Sequence, residues 1–513
     1  MTAAGESNLG RLAELSFERR GDYPSLLFEG RWYGSGELHE RAQRLAAGLQ
    51  ELGVKPGERV VVTMANCPEV SITYQALWLA GAVVTPAMFL LPVPELRHVI
   101  DDAGACGVIT TPEFAAKVAE ATDGLDGVRF VACTEAADGM VPLADLERAE
   151  PRPLVPRADD ELAALLYTGG TTGRAKGVML SHASLNYSGR SAHEIAHVAG
   201  LDRMLTTLPL SHSYGLLVTI AGMHSSDRHV NVLLRWFEPA NFLQQIAEHQ
   251  LQVSAVVPTM LQILLGQPLA DYDLSSLRYV SSGGAPLAPE VEEEFRRRVP
   301  SVTIRQGYGL TESAALLCTN RTDAIRSGSV GLPVPGTEIE IRDDDGRPLP
   351  AGEVGEICAR SPGLMQGYWH SPEATETALA GGWLHTGDVG RIDQDGYLYI
   401  VDRKKDLIIR GGFNVYPRDV EDALVEHPAI QMAAVVGRPS GRHGEEVVAF
   451  VALAPGAEAD ASELIAWARE RIGGYKYPRE IHPVDAIPLT PVGKIDRKAL
   501  RALVTTGAAA TNA

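Results

Sequence analysis

The chain has 513 residues, with 46 basic and 65 acidic side chains and a formal charge of −19. At 45% hydrophobic and 22% charged it has ordinary globular proportions, and its length exceeds what one core serves, so at least two domains are expected. A surface this acidic argues against nucleic-acid binding, which needs clustered Lys and Arg.

The first twenty residues carry charges throughout and lack the apolar core of a secretory signal. Residues 38–52 repeat apolar side chains every three and four positions and stop at Gly53, which predicts a helix. A strand over 59–64 and a helix over 70–79 follow. The uncharged stretch 70–94 contains Gln75, Gly81, Pro86, Pro92 and Pro94, which would break a spanning helix. It reads as buried helix, loop and strand, with no membrane span. Short apolar runs at 108–110, 128–132 and 162–167 have the pattern of buried parallel strands. Helix-then-strand pairs recur at 242–250 with 253–257, and at 291–298 with 303–307. A large α/β domain of layered parallel sheets and helices is therefore expected over roughly the first 330 residues.

Beyond it, 337–342 and 355–359 alternate apolar and polar, and 397–401 follows the turn Asp395-Gly396. This predicts a β-rich antiparallel subdomain. The charged run Asp402-Arg403-Lys404-Lys405-Asp406 marks a boundary. It divides the chain into an N-terminal domain (1–401), a linker (402–406) and a small α+β domain (407–513) that reads strand, helix, strand, strand, helix. The cysteines Cys67, Cys106, Cys133, Cys318 and Cys358 are scattered, with no Cys-x-x-Cys pair. They read as reduced thiols, neither a disulfide framework nor a zinc site. A soluble cytoplasmic protein, monomer or homodimer, is expected.

The sharpest local feature is Tyr167-Thr168-Gly169-Gly170-Thr171-Thr172-Gly173-Arg174-Ala175-Lys176-Gly177, between two apolar runs. Four glycines, three threonines and a lysine in ten residues expose backbone N–H groups and hydroxyls, as a polyphosphate requires. It is not a Walker A loop, because Lys176 is followed by Gly177 instead of Ser or Thr. Further along come Leu208-Pro209-Leu210-Ser211-His212-Ser213-Tyr214-Gly215, then Ser281-Ser282-Gly283-Gly284-Ala285-Pro286, then Gln306-Gly307-Tyr308-Gly309-Leu310-Thr311-Glu312. Trp383-Leu384-His385-Thr386-Gly387-Asp388 precedes Asp402-Arg403, and Pro488-Leu489-Thr490-Pro491-Val492-Gly493-Lys494-Ile495-Asp496 closes the series.

In this order, and over nearly the whole chain, these segments resemble the adenylate-forming superfamily of acyl-CoA synthetases, carrier-protein adenylation domains and luciferases. The family's usual phosphate loop has Ser where this chain has Gly169 and Pro where it has Ala175. The variant here is similar to that of fatty-acyl and aryl-CoA ligases. The resemblance implies ATP bound by Thr168, Gly169, Gly170, Thr171, Thr172, Gly173 and Lys176, with the threonines carrying the phosphate contacts. It implies an adenine side made by Gly283, Gly284, Ala285, Pro286, Gln306, Gly307, Tyr308 and Gly309, glycines there letting the backbone approach a flat base. Thr311 would bond phosphate, Glu312 would ligate Mg²⁺, Asp388 would accept from the ribose hydroxyls, and Ile400 and Arg403 would complete the nucleotide site. These types suit those tasks: an aromatic face for a purine, a hard oxygen anion for a hard cation.

His212 would gate the carboxylate pocket and Lys494 would be the catalytic lysine. The acyl pocket would be lined near His212, Tyr214, Gly283, Gly309, Ala314 and Gly331. The resemblance also implies that the small domain rotates about a hinge at Lys405 between two half-reactions, turning Gly411 and Gly412 toward the site. Lys476 and Arg479 are candidates for the phosphates of coenzyme A. The expected reaction is activation of a carboxylic acid as acyl-AMP with transfer to coenzyme A. Other acceptors (a carrier-protein thiol, an amine), nitrite as substrate, or a non-catalytic nucleotide-binding member remain alternatives. The polar segment Met223-His224-Ser225-Ser226-Asp227-Arg228-His229 is either a drifted surface loop or part of a pocket for a polar or aromatic acid.

Overall fold

The computed structural model describes residues 6–168, 174–441, 443–490 and 493–506. One mixed sheet of the large domain is centred on the parallel strands Val83–Pro86, Arg59–Thr63, Gly107–Thr110 and Phe130–Cys133. Val83–Pro86 and Gly107–Thr110 are buried at every position, as strands covered by helices on both faces must be. The helix Pro68–Leu79 between two of these strands is apolar all round and holds Tyr74 and Trp78 fully buried. The uncharged stretch 70–94 thus folds as buried helix, strand and the start of the helix Val93–Asp102. Among the described residues no helix is long and apolar enough to cross a membrane.

A second sheet runs Thr303–Tyr308, Tyr279–Ser282, Val253–Val256, Arg203–Thr206, Val230–Leu233 and Pro24–Phe28, all parallel. The helices Pro239–His249 and Pro289–Arg298 seal one face with Phe242 and Phe295. A third, antiparallel sheet orders Glu338–Arg342, Gly355–Arg360, Leu384–Ile392 and Leu398–Arg403. Its last two strands are joined at Asp393-Gln394-Asp395-Gly396, where the Gly396 N–H donates to the Asp393 carbonyl.

The C-terminal unit is a sheet of Phe413–Val415, Ile408–Arg410, Gly444–Leu453 and Ile430–Ser440, with Glu480–Pro483 added in parallel on Gly444–Leu453. Helices Pro417–Val425, Ala461–Arg471 and Arg497–Thr506 accompany it. The strands Phe413–Val415 and Glu480–Pro483 and the last helix go beyond the sequence reading. Three or four residues are too few to show a period of two, and these strands exist because a long neighbour offers an edge.

The polar segment after Met223 packs outward. The helix Ser213–His224 ends there, and Arg19 donates to the Met223 carbonyl at 2.7 Å while Arg20 reaches the Gly222 carbonyl and His229 Nδ1 at 3.0 and 3.1 Å. Arg228 returns a bond to the Arg20 carbonyl. The segment docks the N-terminal helix Leu9–Arg20.

Candidate active site

The parallel strands Val253–Val256, Tyr279–Ser282 and Thr303–Tyr308 end side by side, and the turns leaving them carry Thr259, Gly283-Gly284 and Gly309 to Glu312. Ligand sites of open α/β sheets lie at this edge. The small domain reaches the same place. Thr259 donates its hydroxyl to the Gly493 carbonyl at 2.8 Å, and a Cβ on Gly284 would stand 3.9 Å from Lys494 Cε. Lys494 sits on a closed turn: its N–H donates to Thr490 Oγ1 at 3.2 Å and its carbonyl accepts from Thr490 at 2.7 Å. Burial, then Arg403, push its ammonium down to about 8, against the opposing pull of Asp388 and Glu312.

The antiparallel register that pairs Asp388 with Arg403 explains why residues fifteen apart meet. Arg403 Nε lies 3.3 Å from Asp388 Oδ1, and the Tyr308 hydroxyl donates to Asp388 Oδ2 at 2.7 Å. Burial, with the Asp388 charge, holds the Tyr308 phenol neutral far above its usual range, so it remains a donor. Ile400 packs with Tyr308 and Leu310 in one apolar cluster. Glu312 accepts from the Tyr368 hydroxyl at 2.8 Å, and Lys176 Nζ stands 5.3 Å from the centre of that ring. Thr311 and Ser213 hydroxyls are 3.3 Å apart. Thr168 pairs with Lys176 across two antiparallel strands. Gly169, Gly170, Thr171, Thr172 and Gly173 lie outside the described residues.

His212 caps the helix Ser213–His224 by accepting the Tyr214 N–H on Nδ1 at 3.3 Å. Burial, then the Lys494 charge, lower its ring to about 3, so it is neutral at working pH. The approach to His212 is pinned from the other sheet. Buried Asn66 donates to the Leu208 and Leu234 carbonyls at 2.9 and 3.1 Å and accepts the Leu210 N–H at 2.9 Å, and Tyr74 donates to the Leu210 carbonyl. Tyr214 donates to the Ser281 carbonyl at 3.1 Å, and its ring lies against Gly283. Two glycines of the expected acyl side are there because backbones cross: a Cβ on Gly309 would lie 2.4 Å from the Ala315 carbonyl carbon, and one on Gly331, at φ +89°, 2.0 Å from that of Thr319. Ala314 and Ala315, just after Glu312, both adopt left-handed backbone (φ 48° and 68°).

Not every expected residue converges here. The Gln306 side chain is buried and donates to Glu292 at 2.9 Å, and Gly307 faces Thr319. Ala285 and exposed Pro286 lead on toward the helix Pro289–Arg298. Lys405 lies in the short turn Lys404–Asp406 that joins the domains, with the Arg403 and Asp388 charges acting on it. Gly411 and Gly412 are on the small domain beside exposed Phe413. Lys476 pairs with Asp419 at 2.5 Å, and Arg479 donates to the Tyr477 and Gly474 carbonyls.

Tyr368, Asn66 and Arg305 escape the sequence reading, since their partners lie far along the chain. The one visible signal is Arg305, a charge inside an otherwise apolar strand pattern. Glu356, Cys358 and His385 also lie together. Glu356 is taken by the Gly387 N–H and by Lys404, and burial pushes the Cys358 thiol up to about 11.

The AMP-binding enzyme family matches residues 13–369, and the AMP-binding enzyme C-terminal domain matches residues 419–494. The chain is 38% identical over 463 residues to a feruloyl-CoA synthase of Amycolatopsis, covering 90% of this chain and 91% of that one. It is 36% identical to a long-chain-fatty-acid–CoA ligase of Bacillus subtilis, covering 93% and 91%. Among solved structures, the anthranilate CoA ligase AuaEII in complex with anthranoyl-AMP superposes with a TM-score of 0.91 at 28% identity, covering 98% of each chain. The amide bond synthetase McbA of Marinactinospora thermotolerans does so at 0.87 and 33%, covering 96% and 99%. The chain belongs to the AMP-binding enzyme family, the adenylate-forming ligases that include the acyl-CoA synthetases.

Proposed function

We propose that this protein is an ATP-dependent acid–CoA ligase acting in two half-reactions. In the first, an acid carboxylate attacks the α-phosphorus of ATP; the new O–P bond forms as the bond to the β-phosphate breaks, giving acyl-AMP and pyrophosphate. In the second, the thiol sulfur of coenzyme A attacks the acyl carbon, the thiol proton is lost, and AMP leaves. The observation that carries this reading is the convergence of Lys494, from the small domain, on Asp388, Arg403 and Glu312 at the strand edge. The first transition state is rich in negative charge, so catalysis is positioning and neutralisation. Lys494 and Arg403 are the cations for it, and Asp388, held by Tyr308, is the acceptor for ribose hydroxyls. Neutral His212, its Nδ1 already used, leaves Nε2–H for the carboxylate of the acid.

Glu312 fits the Mg²⁺ that such ATP chemistry uses: Tyr368 occupies one carboxylate oxygen and leaves the other as a hard donor. Bound there, the ion would neutralise phosphate charge. We take 1–401 as the nucleotide-binding domain, 402–406 as the hinge and 407–513 as the mobile domain, whose rotation removes Lys494 and brings Gly411 and Gly412 in for the thiol. Coenzyme A as acceptor is supported by the CoA-ligase relatives. An amine acceptor is the second reading, favoured by the likeness to an amide bond synthetase. Five buried free thiols suit a cytoplasmic setting.

The test is pyrophosphate release with ATP across a panel of acids, with coenzyme A, an amine or neither. A CoA thioester as product is the expected outcome. Release with an amide product would replace the acceptor, and no release with any acid would overturn the ligase reading.

A further inference from the structure

The strand Thr303–Tyr308 divides its side chains between two faces. Ile304 joins the core that contains Val280, and Gln306 turns to Glu292. Arg305 points to the opposite face, shared with Tyr279, Ser281 and Gly283 of the adjacent strand and its turn, and Ser281 is its register partner. Only 3% of Arg305 is exposed. Its Nη2 donates to Ser281 Oγ at 3.2 Å, and Nη1 reaches the Ala196 carbonyl and Thr322 Oγ1, both at 3.4 Å. These are long for bonds made by a charged donor. Nε is buried and has no partner. The guanidinium carbon stands 4.9 Å from the centre of the Tyr279 ring. Among the described residues, no carboxylate forms an ion pair with Arg305. A buried cation without an anion or a full set of acceptors is unfavourable, and such a group is retained where something else completes it.

Arg305 lies one pleat repeat, about 6.6 Å, from Gly307, in the direction away from Lys494. Between the two ends are the Tyr214 ring, on Gly283, and the apolar cluster of Leu217, Leu316 and Ile195. An acid whose carboxylate lies at His212 and Lys494, and whose body runs past Gly283 and Tyr214, brings its far end to Arg305.

We propose that Arg305 is a specificity-determining residue: it donates to an acceptor oxygen at the far end of the acid, so that this ligase selects acids with a distal oxygen over apolar ones. The inference rests on the acid-ligase reading above. A purely apolar tail would leave Nε–H unpaired, whereas an oxygen completes its hydrogen bonding. That oxygen belongs to a ring hydroxyl or to a second carboxylate, and the arms of the test separate the two.

The test compares kcat/KM for pyrophosphate release within length-matched pairs: 3-phenylpropenoic acid against its 4-hydroxy form, and octanoic acid against octanedioic acid. The wild type is expected to favour the oxygen-bearing member of one pair by about 10- to 100-fold. In Arg305→Leu that ratio falls toward one, through loss on the oxygen-bearing acid while the apolar acid is spared. Arg305→Lys, which keeps the charge, restores part of the preference and guards against a Leu variant that does not fold. No preference in the wild type for either pair, or a preference unchanged in Arg305→Leu or Arg305→Lys, overturns the proposal. Wild type that releases pyrophosphate without discrimination defeats the Arg305 assignment alone. Wild type that releases none with any acid defeats the ligase reading and this inference with it.

Discussion

Lys494 is an ammonium whose charge is needed where burial opposes it. In the free enzyme it is protonated below about 8. The kcat/KM of pyrophosphate release should therefore fall as pH rises through about 8, and Lys494→Arg should flatten that alkaline limb at a reduced rate; pH–rate profiles of both check this. The stability sign is the reverse. The unfolded lysine keeps its proton up to 10.5, so between about 8 and 10.5 the unfolded state binds more protons and rising pH favours the fold through this group. The penalty is fully present below about 8 and gone above 10.5. Melting temperatures of wild type and Lys494→Met should accordingly converge across that window. Lys494→Ala should cut adenylate formation by about 10²–10³-fold, as loss of a charge-stabilising donor does, while sparing thioester formation from supplied acyl-AMP. Equal loss in both half-reactions would refute the division of labour.

Two elements position these side chains, and each hangs on one residue. Asn66, from the loop after Arg59–Thr63, fixes the backbone at Leu208 and Leu210 just before His212. Asn66→Ala leaves a buried N–H and two carbonyls short of partners. It should cost about 2 kcal/mol, read as a lower urea midpoint at unchanged slope. Gly309 lets the turn bearing Thr311 and Glu312 pass against Ala315. Gly309→Ala should cost about 1–3 kcal/mol by overpacking. It should lower adenylation by about 10²-fold because a shift of about 1 Å there misaligns the charges, which steady-state kinetics will register. The left-handed backbone at Ala314 and Ala315 adds roughly 1–2 kcal/mol of strain per residue, held by the same packing.

Across the whole molecule, the structure is the arrangement with Lys494 docked. Thr259 to Gly493, and Arg418 to the Ile400 and Leu287 carbonyls, tie the small domain against the large one. The joint is the turn Lys404–Asp406. If the domains rotate there, Lys405→Pro, which narrows the accessible backbone, should leave single-turnover pyrophosphate release near wild type and slow thioester formation about tenfold or more. A pyrophosphate burst followed by slow turnover is the expected record; a normal steady state would place the pivot elsewhere.

The sequence determined the chemistry that lies in continuous motifs. Tyr308 to Glu312, Asp388, Arg403 and Lys494 each sit in a short run whose residue types are set by a local turn and a ligand. Long helices and buried strands were readable because burial imposes a period on ten or more residues. Tertiary structure alone decided what crosses between segments: Tyr368 on Glu312, Asn66 under the His212 approach, Gln306 turned to Glu292, and Arg305 buried without a counter-charge. A side chain's partner in those cases is set by sheet register and helix packing over tens to hundreds of residues. No local pattern records that, so whether a charge is paired, orphaned or aimed at a substrate becomes visible only once the chain has folded.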